Sequence, residues 1–142
     1  MVPTISPSVQ HPVLAVCVAI WQDDKILLVR RANAPNKGLW ALPGGKVDAG
    51  ETIAAAAIRE LREETNLKAT PKNIFFIREI IEEGFHYVLN CIRAENTVGD
   101  LVAGDDAAEA RWMSITDIRN VETVAGLADI VEYSRSRIGL LV

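Results

Sequence analysis

Cysteine is scarce in this chain and follows no pattern. Its 142 residues contain two, Cys17 and Cys91, each in an apolar, strand-like run with no CxxC and no histidine beside it. That spacing excludes a disulfide framework and a soft zinc site, and it predicts buried free thiols. Long hydrophobic runs are also missing. The longest, residues 13–21, is far too short to span a bilayer, and no Lys or Arg precedes Lys25 to give it the basic flank of a signal peptide. No membrane association and a cytoplasmic location are the expectations. Positive charge is in deficit, with a formal net charge of -4 and a pI near 5.2. Long nucleic acids are therefore poor partners, because non-specific binding needs a basic surface that releases counterions. Small nucleotides stay open, since a bound divalent ion inverts the local field of an acidic site and attracts phosphate.

What is present suits one domain with a real core. A chain of 142 residues is too short for two comfortable domains and shows no repeat or low-complexity block. Residues 1–12 carry three prolines and little periodicity, which predicts an irregular arm before a single domain over 13–142. Residues 13–21 and 25–31 are expected to pair as a hairpin across Gln22-Asp23-Asp24, and 73–82 with 85–94 as a second, turning near Glu83-Gly84. The polar stretch 95–106 reads as a loop, 109–113 as a last strand, and 123–138 as a closing helix with Val124, Leu127, Ile130 and Val131 inward. Trp40 and Trp112 are expected to pack in the core, as large aromatics mostly do. Strands and helices in this order predict an α+β fold, a mixed sheet covered by helices.

The chemistry concentrates after Leu42-Pro43-Gly44-Gly45, a strand-like stretch ending in what reads as a glycine loop. From Glu51 to Thr65 the residues are mostly good helix formers, and an acidic residue opens the run where the helix dipole favours negative charge. At about 100° per residue, Glu60, Glu63 and Glu64 share roughly one third of the circumference beside an apolar stripe of Ala54, Ala57, Ile58 and Leu61. Three crowded carboxylates repel one another, so a cation is needed to offset them. Oxygen donors of this kind suit Mg2+ or Mn2+. The bland alternative is a solvated helix with alternating Glu and Arg.

The segment Gly45 to Leu67 resembles the Nudix box, G-x5-E-x7-R-E-U-x-E-E-x-G-U with U aliphatic. Gly45, Glu51, Arg59, Glu60, Leu61, Glu63, Glu64 and Leu67 match, and Asn66 replaces the final glycine. Asparagine tolerates the left-handed conformation that ends a helix, so the geometry is expected to survive. The flanking segments 26–31, 38–45 and 110–113 are similar to those of Nudix hydrolases. The resemblance implies a Nudix-type α/β/α sandwich and a divalent metal held by Glu60, Glu63, Glu64 and the Gly44 carbonyl. It also implies that Arg59 positions Glu60 and that Glu51 holds the loop or assists the metal shell. The general base is then Glu60 or a remote acid among Asp105, Asp106 and Glu109, with Asp106 placed on a loop able to reach the metals. Neighbouring strand residues face opposite sides, so one of Arg30 and Arg31 can meet phosphate, and Lys37 lies beside the glycines; these read as substrate contacts or as plain surface charges. Arg31 and Lys37 are the substrate-binding candidates.

The implied reaction is Mg2+-dependent cleavage of a nucleoside diphosphate linked to another group, with ADP-ribose or a nucleotide sugar first. A nucleoside triphosphate pyrophosphohydrolase, including one acting on oxidised guanine nucleotides, is the enzyme alternative. A nucleotide-binding regulator without catalysis would need a degraded box, and the box carboxylates are intact. Dimers are frequent in such enzymes, so a homodimer is possible.

Overall fold

The computed structural model describes residues 11–140, and side chains up to residue 135. The arm expected over residues 1–12 therefore lies almost wholly outside the described residues. The elements run β1 (Val13–Ala19), β2 (Trp21–Gln22), β3 (Lys25–Arg31), β4 (Trp40–Ala41), β5 (Gly44–Lys46), α1 (Ile53–Thr65), β6 (Lys68–Glu82), β7 (Phe85–Val98), β8 (Ala107–Met113), α2 (Ile115–Arg119) and α3 (Leu127–Leu140). They form two sheets. The first has the order β5-β1-β7-β6 and is mixed, because β1 runs parallel to β7 and antiparallel to β5. In the second, β3 pairs antiparallel with β8 along one edge and with β2 and β4 along the other.

The expected first hairpin survives only as two pairs, Trp21 with Ile26 and Gln22 with Lys25. β1 itself belongs to the other sheet. Its residues are apolar on both faces: Val16 and Val18 pack toward α1, while Cys17 and Ala19 face the opposite core. Such a strand needs cover on both sides, which a central sheet position supplies and a two-stranded hairpin does not. The second hairpin is longer than expected, and 95–98 is strand rather than loop: Lys68 pairs with Val98 and Thr70 with Glu95. Polar residues do not stop a strand that is solvated on one face. Pro71 fits because β6 is the sheet edge.

Two cores lie on either side of the sheets. Val16, Val18, Leu27, Leu61, Leu67 and Ile92 pack under α1. Ile26, Leu28, Trp40, Met113, Leu127, Ile130 and Val131 pack on the α2 and α3 side. This is the α/β/α arrangement, and each fully buried aliphatic contributes about 1.5–3 kcal/mol. Trp40 is buried and Trp112 partly buried, as expected of core aromatics. Cys17 and Cys91 are buried free thiols in register on β1 and β7, the Cys17 thiol donating to the Cys91 sulfur at 2.9 Å.

α3 begins at Leu127, not 123, because Thr123 is taken up in a parallel bridge beside Trp40 of β4. α2 was not expected; its signal is the capping box of Ser114 and Asp117. Among the described residues no helix is long and apolar enough to cross a membrane.

Candidate active site

The glycines that precede the acidic helix are not a loop. Gly44 and Gly45 form β5 against β1, with Gly44 in register with Cys17 and Gly45 with Val16. Glycine is needed there for close approach, not for turning. A Cβ on Gly44 would run into the Val16 carbonyl oxygen, and one on Gly45 would stand 2.5 Å from Glu60 Oε1.

α1 starts after Thr52, whose hydroxyl accepts from the Ala55 amide at 3.0 Å. Glu51 thus lies outside the helix, against expectation, and turns back to Arg59. The buried face of α1 is Ala56, Ala57, Leu61, Glu64 and Thr65, so Glu64 belongs to the core side and not to the solvated edge. Asn66 ends the helix with φ 66°, left-handed as expected.

Arg59 organises the carboxylates. Its Nε donates to Glu51 Oε2 at 2.8 Å and its Nη2 to Glu51 Oε1 at 2.9 Å, a planar two-point pair. Nη1 donates to Glu60 Oε1 at 2.8 Å and to Glu63 Oε2 at 3.3 Å, and Nη2 also reaches the Lys46 carbonyl at 3.0 Å. The guanidinium lowers the Glu51 pKa to about 2, with help from the Asp48 amide. Glu60 is raised by burial despite Arg59. Glu64 is 6 % exposed, and burial pushes it up to about 8 even though the Gly44 amide donates to its Oε2 at 3.1 Å.

Two loop acids act on this group. Asp105 repels Glu60 and Asp106 repels Glu64, while Arg31 draws Glu64 the other way. Asp106 is held by the Asn33 side-chain amide at 3.0 Å, and its carbonyl accepts from the Ala32 amide. Glu109 and Lys37 lie elsewhere. Glu109 pairs with Arg30 at 2.6 Å and Arg111 at 2.7 Å on the α2 and α3 side of β8, the side of Met113. Lys37 lines an open cavity of about 570 Å3 with those residues and Trp40. Strand alternation separates them from the glutamates: Arg30 points to one face of the sheet and Arg31 to the other.

The donor set is all oxygen, and Glu64 is a buried carboxylate with no Lys or Arg bridge among the described residues. Such a group fits a hard divalent cation, which would offset its burial. Among the described residues no three acidic, His or Cys side chains stand at metal-ligating spacing: Arg59 draws Glu60 one way and the Gly44 amide draws Glu64 another.

The NUDIX domain family model matches residues 11–133. The chain belongs to the Nudix family. One relative is an ADP-ribose pyrophosphatase of Methanocaldococcus jannaschii, 38% identical over 76% of this chain and 65% of its own length. A human 8-oxo-dGDP phosphatase is 31% identical over 89% of this chain and 39% of its own. Among solved structures, a bifunctional NMN adenylyltransferase/ADP ribose pyrophosphatase of Francisella tularensis, complexed with AMP and a Mn ion, superposes with a TM-score of 0.80. It is 26% identical, covering 92% of this chain and 43% of that one. The Nudix box of this chain therefore sits on the Nudix fold, as its residues implied. Two contributors were not legible in the sequence. Asn33 is brought to Asp106 only by the fold, and the Asn66 side chain reaches the Asp100 carbonyl at 2.9 Å.

Proposed function

We propose that this Nudix chain is a Mg2+-dependent hydrolase that cleaves the diphosphate linking a nucleoside to another group, with ADP-ribose as the first substrate. The observation that carries the proposal is the Arg59 clamp on Glu51, Glu60 and Glu63 beside the buried Glu64, faced by the Asp105-Asp106 loop. In this reading Glu60, Glu63, Glu64 and the Gly44 carbonyl hold the ion. Bound there, Mg2+ neutralises diphosphate oxygens and lowers the pKa of a water. Mn2+ suits the same donors.

The chain's own residues supply the rest. Arg59 fixes the carboxylate of Glu60 and is itself fixed by Glu51, and ion binding would draw Glu60 and Glu64 together from the separate partners that hold them. In this reading Arg31, whose charge reaches Glu64, meets a substrate phosphate. Asp106 is the remote acid best placed to accept a proton from water, since Glu109 is engaged by Arg30 and Arg111. Glu60 stays the alternative base. Lys37 serves the substrate only through the cavity on the other face. The proposal takes 13–142 as one catalytic domain in the cytoplasm, acting on a small nucleotide.

A second reading, removal of oxidised guanine nucleotides, draws on the human relative. A panel separates the two: incubate the chain with Mg2+ and nucleoside diphosphate and triphosphate compounds, then identify the phosphorus-containing products. Two monophosphates from ADP-ribose support the proposal. Turnover restricted to oxidised guanine nucleotides would replace it with the second reading.

A further inference from the structure

The one position where this chain departs from the Nudix box is also where the acidic loop is tied to the helix. α1 ends by leaving carbonyls without helical partners, as every helix does. The loop over residues 99–106 takes them up: the Val102 amide donates to the Thr65 carbonyl and the Gly104 amide to the Glu64 carbonyl, both at 3.0 Å. Gly104 permits that contact, because a Cβ there would stand 2.9 Å from the Glu63 carbonyl oxygen. Asn66 adds a side-chain tether, its Nδ2 donating to the Asp100 carbonyl at 2.9 Å. The far end of the loop is anchored by Ala32 and Asn33 on Asp106. Asp105, held at φ 52°, lies just before that second anchor.

We propose that Asn66 is a positioning residue: its side-chain amide pins the loop at Asp100 and so holds the segment that carries Asp105 and Asp106 onto the C-terminal end of α1. A glycine at this position, which the box prescribes, supplies the left-handed turn but has no donor for Asp100. Asn66 performs both tasks. The tether stands on geometry alone; its catalytic consequence rests on the hydrolase reading above.

Two variants test it in the full chain. Asn66→Gly keeps the turn and removes the donor, and Asn66→Asp keeps the size of the side chain and replaces the donor with an acceptor. Hydrogen exchange at the Val102 and Gly104 amides is expected to quicken in both by roughly fivefold, the effect of losing one ordinary hydrogen bond. On whichever panel compound the wild type cleaves, kcat is expected to fall by a similar factor while KM holds, since no substrate contact is removed. Unchanged exchange at both amides would overturn the tether. Faster exchange with unchanged kcat would overturn the positioning role. A wild type that cleaves nothing in the panel would count against the hydrolase reading instead, and the exchange measurement would still decide the tether.

Discussion

Arg59 shows how one side chain converts a repulsive cluster into an ordered one. Three glutamates and an aspartate stand within 4 Å of its guanidinium, and Glu51 receives two of its N–H groups. The pair has a pH signature. Glu51 titrates near 2 when folded against 4.5 ordinarily, so the unfolded chain binds more protons between those values and stability rises with pH across them. The Glu51 contribution is complete above about pH 4.5 and is lost as pH falls through 2. The difference in thermal midpoint between wild type and Glu51→Gln should therefore close as pH is lowered from 6 toward 2. A constant difference over that range would show that Glu51 acts by packing. The resemblance implied a loop-holding or metal-shell role for Glu51; its two-point pairing with Arg59 was not legible in the sequence. Nor was the position of Glu51 outside the helix, because Thr52 competes for the N-cap and wins by accepting from Ala55.

At the scale of elements, β5 is the piece that periodicity misjudged. Gly44-Gly45 reads as a turn because glycine is the usual residue of sharp reversals, yet here it lets β5 lie against β1 and under the Glu60 carboxylate. Gly44→Ala should destabilise by about 1–3 kcal/mol, the range for overpacking a filled interior. Urea denaturation measures it, and a change below about 0.5 kcal/mol would mean that β1 and β5 separate without cost. α1 was legible because its helix formers and apolar spacing agree. Its burial was less so, since the face turned inward includes Glu64, a residue type that composition assigns to solvent. The long β6-β7 ribbon was underread at 68–72 and 95–98 because those residues are polar, and pairing there depends on the partner strand rather than on either segment.

For the whole molecule, the proposed metal couples to stability. An ion that binds only the folded chain stabilises it by about 2.7 kcal/mol at a hundred times its Kd. Mg2+ should therefore raise the thermal midpoint of the wild type, and a chelator should reverse the rise. Glu63→Gln should lower turnover roughly 100-fold and shrink the Mg2+ shift. Its midpoint without metal should hold, because Glu63 is 42% exposed and touches the clamp only through Arg59 at 3.3 Å. An unchanged Mg2+ shift in that variant, or near-normal turnover at saturating Mg2+, would remove Glu63 from the ion's ligands.

By itself the sequence determined the order of the box residues, the acidic helix, the left-handed stop at Asn66 and the apolar strands, since each depends on spacing within a few residues. The tertiary structure decided which sheet β1 joins, that Arg30 faces Glu109, and that Asn33 and Asn66 hold the two ends of the acidic loop. Those relations span tens of residues in the chain. They arise from covering both faces of a buried strand and from finding partners for the carbonyls at a helix end, conditions that only the packed molecule imposes.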